Sequence, residues 1–147
     1  MRAVTAPEAR PPFEHFTHDA DVGVRGFGST LAEAFANAAR ALTAVVVDPS
    51  RVAERESVEI ECRSIDEEIL LADFLNAVVF EMATRRMLFA RYEVAIEGDQ
   101  LRARAFGEPV DVARHEPAVE VKGATLTELL VDQEADGAWV AQCVVDV

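Results

Sequence analysis

The chain has 147 residues, of which 50% are hydrophobic and 28% charged, a balance that fits one globular domain able to bury a core without disulfide or metal staples. Its formal net charge of −13 opposes contact with a phosphate backbone, and no basic footprint is present, so any role in RNA or DNA chemistry is expected to run through another protein. No stretch approaches the roughly 18 uninterrupted apolar residues of a membrane span, and no apolar signal core precedes the body of the chain; the expectation is a soluble, cytoplasmic protein with no membrane partner.

Residues 1–12 contain Arg2, Pro7, Arg10, Pro11 and Pro12 without apolar periodicity, and read as a flexible N-terminal tail ahead of a single domain spanning 13–147. The first apolar stretch closes on His18-Asp19-Ala20-Asp21. Gly26-Phe27-Gly28 lacks the further glycine and the Lys-Ser/Thr of a phosphate loop, and reads as a strand end before a helix. Thr30 and Glu33 form a capping box, behind which Leu31, Ala34, Phe35, Ala38, Leu42, Val45 and Val46 recur at helical spacing until Asp48-Pro49. Val58, Ile60 and Cys62 alternate with Glu59, Glu61 and Arg63 as a strand wet on one face. Ser64 and Glu67 repeat the capping pattern before Ile69, Leu70, Phe74, Leu75, Val78, Val79 and Met82, and Arg85 and Arg86 follow at the helix end that favours cations.

Tyr92, Val94 and Ile96 alternate into a turn at Gly98-Asp99 and out again through Leu101, Ala103 and Ala105, which predicts a hairpin. The polar, proline-marked stretch from Phe106 through Asp111 to Pro117 reads as a loop with a candidate functional role. A last pair of strands, Leu129 to Gln133 and Trp139 to Val145, flanks a turn at Asp136-Gly137. Strand, helix, strand, helix and a meander of strands make an α+β fold, a mostly antiparallel sheet with two main helices.

No enzyme signature is present. Ser29 and Ser57 lack a nucleophile-elbow context. Cys62 and Cys143 sit far apart in apolar alternating runs and read as buried thiols, not as a zinc knuckle or redox pair. Two acidic clusters remain, His18-Asp19-Ala20-Asp21 near the start and Asp146 with the carboxylate of Val147 at the end. Carboxylates gathered in one site repel and need a cation, a proton or a basic partner. If the clusters meet, their oxygens suit a hard cation such as calcium or magnesium and not zinc. His18-x-x-Asp21 alone is a weak signal and reads first as a His capping a turn with an Asp accepting backbone N–H bonds.

Phe13-x-x-Phe16-x-His18-x-Ala20-Asp21-x-Gly23 and Phe27-Gly28-x-Thr30-Leu31-x-Glu33-Ala34-Phe35-x-Asn37-Ala38-Ala39 resemble the opening of the archease family. Leu75-Asn76, Leu88-Phe89, Gly107-Glu108-Pro109-Val110-Asp111 with His115-Glu116, Val121-Lys122-x-x-Thr125, Gly137-x-Trp139 and Val145-Asp146-Val147 continue the likeness from Phe13 to the last residue. The resemblance implies a single archease-like domain that is not an enzyme. Its implied role is to activate an RtcB-type GTP-dependent RNA ligase, promoting guanylylation and repeated turnover of the ligase in tRNA splicing and RNA repair, with RNA met only through the ligase. It also implies a divalent metal, typically calcium with magnesium or manganese as alternatives, held by Asp21, Asp146 and Val147. Lys122 would act on the ligase and His18 would orient the site from its edge.

Two positions depart from the family pattern. Asp19 stands where the family commonly has Thr, adding a carboxylate beside the proposed site, and Leu126-Thr127 stands where many members have Tyr-His. The alternatives are a general chaperone-like binder and a small metal-dependent phosphohydrolase. The oligomeric state stays open.

Overall fold

The structure is a computed structural model, and it describes residues 10–147. Most of the expected tail, residues 1–9, lies outside the described residues. Arg10 pairs with Glu134 at 2.7 Å and stacks 4.4 Å over the Phe27 ring, while the Pro12 carbonyl accepts a hydrogen bond from the Phe27 N–H at 2.9 Å.

The first apolar stretch is two strands, not one. β1 (Phe13–His18) folds back on β2 (Asp21–Gly28) as an antiparallel hairpin in which His18 pairs with Asp21. Asp19 and Ala20 alone connect them. Asp19 takes a left-handed φ of +50°, a conformation that Asp tolerates better than most residues because its short polar side chain can bond locally.

Helix α1 (Leu31–Val46) starts where the capping box predicts, with the Thr30 hydroxyl accepting from the Glu33 N–H at 3.1 Å. The Glu33 carboxylate reaches back to the Ser29 N–H and hydroxyl, each at 3.3 Å, which closes the box one residue early. A 3₁₀ turn (Pro49–Arg51) follows, then β3 (Glu56–Arg63). Helix α2 (Glu67–Arg85) is capped by Asp66 and not by Ser64. The Asp66 carboxylate takes the N–H groups of Glu68 and Ile69 at 2.9 and 3.0 Å, and Ser64 instead accepts from the Asp66 N–H at 3.2 Å. Both orphan donors are met by one charged acceptor, which the hydroxyl two residues earlier cannot match.

β4 (Met87–Glu97) and β5 (Gln100–Pro109) form the predicted hairpin, but each strand is longer than the alternation indicated. Phe106 to Pro109 therefore belongs to β5 and is not a loop. The short helix α3 (Val112–His115) follows, then β6 (Gly123–Ala124), β7 (Leu130–Gln133) and β8 (Trp139–Asp146).

The strands make two antiparallel sheets. The first runs β1-β2-β8-β6, with β7 also paired to β8, and the second runs β3-β5-β4. Helix α1 packs on β2 and β8 of one sheet and on β4 of the other; α2 likewise touches both sheets. Phe35, Leu42, Leu70, Phe74 and Leu75 are fully buried where these layers meet. The Phe74 ring lies 6.3 Å from Phe35 and edge-on to Tyr92 at 6.4 Å. Buried Tyr92 and Thr43 share a 2.6 Å hydrogen bond, so neither hydroxyl is left unpaired. Gly26 lets α1 lie directly on β2, since a Cβ there would stand 2.2 Å from the Ala38 nitrogen. Among the described residues, no helix is long and apolar enough to cross a membrane.

Candidate functional site

The pairing that builds the larger sheet also brings its acidic residues to one end. β2 runs antiparallel to β8 with Val22 opposite Val145. Val145 is fully buried and Val22 packs against the core, so the next residue along each strand, Asp21 and Asp146, lies toward the face turned away from it. On the other side of β8, Gly123 pairs with Asp146, and the Lys122 N–H donates to the Asp146 carbonyl at 2.7 Å. The last residue closes the group, its Val147 N–H donating to Asp21 Oδ1 at 3.4 Å.

The structure thus gathers Asp21, Asp146, Val147 and the Lys122 backbone, with His18 beside Asp21 across the hairpin. Asp19 is not gathered. It projects from the tip of the turn, 93% exposed, its carboxylate 3.9 Å from the half-buried His18 imidazole. Leu126 is exposed in the connection that follows β6, where Thr127 accepts from the Val144 N–H at 3.1 Å.

Asn76 is a positioning residue that the residue pattern missed. Its side chain accepts from the Ala124 N–H at 2.9 Å and donates to the Ala124 carbonyl at 3.4 Å, pinning the two-residue strand β6 to α2. Thr125 adds a second anchor through its N–H and hydroxyl to the Val144 carbonyl, at 2.9 and 2.8 Å. Together these fix the course of the chain on which Lys122 stands.

Among the described residues, neither Asp21 nor Asp146 has an ion-pair partner, and Lys122 has no carboxylate partner. No group of three or more His, Cys, Asp or Glu side chains among them is placed to hold a metal ion. The side-chain acids gathered here are Asp21 and Asp146, with the exposed Asp19 in the adjoining turn. The donors are oxygens, a chemistry that fits a hard cation and does not fit a thiolate-seeking one.

The stretch expected to be a functional loop has a different use. Glu108 and His115 are each only 1% exposed. Arg114 grips the Glu108 carboxylate with both guanidinium nitrogens at 2.9 and 2.8 Å, the Ala53 N–H donates to it at 2.7 Å, and His115 Nε2–H donates at 3.0 Å. The Asp111 N–H donates to His115 Nδ1 at 2.8 Å, which fixes the imidazole as the Nε2–H tautomer. Arg114 foremost, then Ala53 and His115, hold the Glu108 carboxyl well below the usual carboxylate range. No buried side-chain polar atom of the cluster lacks a hydrogen-bond partner, so its role is to tie β5 and α3 to the end of the 3₁₀ turn. Cys143 is buried as expected, and burial pushes its thiol up to about 12; Cys62 is only half-buried, with its thiol also raised by burial.

The Archease protein family (MTH1598/TM1083) matches this chain over residues 13–147. Protein archease of Pyrococcus abyssi is 39% identical over 139 residues, covering 92% of this chain and 98% of the relative. Protein archease of Thermococcus gammatolerans is 41% identical with the same coverage of 92% and 98%. The solution structure of protein 1598 of Methanobacterium thermoautotrophicum superposes with a TM-score of 0.82 at 34% identity, covering 92% of this chain and 99% of that one. A crystal structure from Thermotoga maritima, described as an archease and possible chaperone, shares the fold at a TM-score of 0.60 and 18% identity, covering 97% of this chain and 100% of that one. An α+β domain of this topology, matched from Phe13 to Val147 and closely related to several archeases, belongs to the archease family.

Proposed function

We propose that this chain is an accessory protein that activates an RtcB-type GTP-dependent RNA ligase in tRNA splicing and RNA repair, acting in the cytoplasm without catalysis of its own. The supporting observation is the convergence of the two acidic ends, with Val147 N–H at 3.4 Å from Asp21 and Lys122 N–H at 2.7 Å from the Asp146 carbonyl. A residue that meets a partner's phosphate or carboxylate must be held in place beforehand, and Lys122 is so held, by β8 on one side and by Asn76 through β6 on the other.

Asp21, Asp146 and the Val147 carboxylate would hold a divalent cation, with calcium the best match to flexible oxygen ligation and magnesium or manganese as alternatives. When bound, such an ion supplies positive charge at an end of the sheet that is otherwise anionic. His18 borders this group and orients the hairpin end, while Asp19 adds local negative charge from the turn without joining the ligand set. The ligase meets a preformed charged surface that completes or reshapes its nucleotide site.

The test is GTP-dependent guanylylation of the cognate ligase with and without this protein. Strong stimulation that Asp21→Ala and Asp146→Ala both abolish is the expected result. Equal guanylylation in the presence and absence of the intact, folded protein would refute the proposal.

A further inference from the structure

Beyond the acidic end, the surface holds an apolar cavity of about 460 Å³ between the C-terminal ends of α1 and α2, the start of β4 and the segment 117–121. Val46, Val79, Met82, Leu88, Val110 and Val121 line it, a volume and lining typical of binding clefts. The apolar surface continues outside the cavity, for Val119 at its wall is 44% exposed and Phe80, on the adjoining face of α2, is 62% exposed. Exposed apolar surface rimmed by charge marks contact with another protein.

The charges at the rim narrow the choice of partner. Among the described residues, every arginine except Arg86 either lies within ion-pair reach of a carboxylate or stacks over an aromatic ring. Arg86 lines the cavity and has neither. Lys122, which also lacks an acid partner among the described residues, directly follows Val121. In a chain of net charge −13, Arg86 is thus a basic group at an apolar groove with neither an acid nor an aromatic ring paired to it among the described residues. Glu120 also lines the groove and lacks a basic partner among the described residues. The wall segment is held at both ends, by the Ala118 N–H to the Val46 carbonyl and the Lys122 N–H to the Asp146 carbonyl, each 2.7 Å. It therefore runs without interruption from the groove to the acidic end of the larger sheet.

We infer that this groove docks a segment of a partner protein that inserts apolar side chains and presents a carboxylate to Arg86. The inference rests on the accessory reading above and gives that partner a second point of contact, separate from the acidic end. The apolar insertion supplies affinity, and the Arg86 contact sets register and discriminates against basic segments.

Ala83 and Arg86 are both exposed groove residues, so Ala83→Glu and Arg86→Glu alter the surface without disturbing the core. Affinity for the cognate ligase is measured by calorimetry for the intact protein, these two variants, and Arg104→Glu on the outer face of the three-stranded sheet as a control for charge. Matched melting curves establish that each is folded. The expected result is at least a tenfold loss of affinity in both groove variants and less than a threefold loss in the control, with guanylylation recovered at saturating concentration of the groove variants. Groove variants that bind like the control overturn this inference and leave the accessory reading intact; no binding by the intact protein removes both. Self-association that Ala83→Glu abolishes, seen by sedimentation, would assign the groove to a second copy and overturn the inference as well.

Discussion

Exchanging one acid at the meeting of β2 and β8 should reverse sign with calcium. Asp21 and Asp146 each stand one residue beyond Val22–Val145, the last pair of β2 with β8, and directly opposed Cβ atoms on neighbouring strands are about 5 Å apart. Two like charges at that distance cost on the order of 1 kcal/mol in a water-like dielectric, less once salt exceeds about 0.1 M. Asp146→Asn should therefore melt at or slightly above the unaltered protein in chelator at low salt, by about 2–4 °C at most. Calcium at about 100 times its dissociation constant adds about 2.7 kcal/mol to a protein that binds it only when folded, or about 5–10 °C for a domain of this size. The variant should lose most of that gain, so the order of the two melting curves inverts on adding calcium. The assay is calorimetry or dye-free thermal melting with a calcium titration. A chain extended by one residue beyond Val147 should behave like Asp146→Asn in calcium but not in chelator. An unaltered protein indifferent to calcium, or equal gains in all three, would refute the ligand assignment.

Two further expectations concern the parts that hold this end in place. Glu108, depressed by Arg114, Ala53 and His115, contributes stability that is complete above the unfolded carboxyl value of about 4.3 and is lost as pH falls toward its lower folded value. In acid titrations followed by circular dichroism, the stability gap between the unaltered protein and Glu108→Gln should shrink below about pH 4; a gap constant with pH would show that the charge is not what holds the cluster. Phe74→Ala removes a fully buried ring between Phe35 and Tyr92 and should cost about 3–5 kcal/mol in denaturant unfolding, whereas a loss below about 1 kcal/mol would mean that the two helices do not share one core.

Much of this architecture is legible in local pattern. The Thr30 cap, the apolar stripe of α2 and the Gly98 turn each depend on residues within a few positions of one another, and each forms where its pattern stands. The first hairpin was hidden because its two-residue turn, Asp19-Ala20, carries no glycine, and because Gly23 leaves room for the Phe16 ring where alternation would call for a side chain. The end of β5 departs from local pattern for a different reason. Glu108 looks like a solvent-facing residue until Ala53, 55 positions away, and the next turn's Arg114 supply its partners. Residue pattern alone put acids at both ends without showing that they meet; the family resemblance pointed there, and the pairing of Val22 with Val145 brings them together. Asn76 stayed unnoticed as a site residue because its target is the backbone of Ala124, which no side-chain pattern reveals.

Strand β8 lies in the middle of the larger sheet, with β2 along one edge and β6 and β7 along the other, although it is the last element of the chain. The first hairpin can form early from local contacts, but it gains its inner neighbour only when Trp139–Asp146 arrives, and that closure joins Val22 to Val145 across almost the whole sequence. A chain that ends before β8 lacks Asp146, leaves β2 without its second partner and leaves β6 and β7 without their strand partner. The acidic end is thus a product of this long-range pairing: until β8 joins β2, Asp21 and Asp146 do not share one end of a sheet.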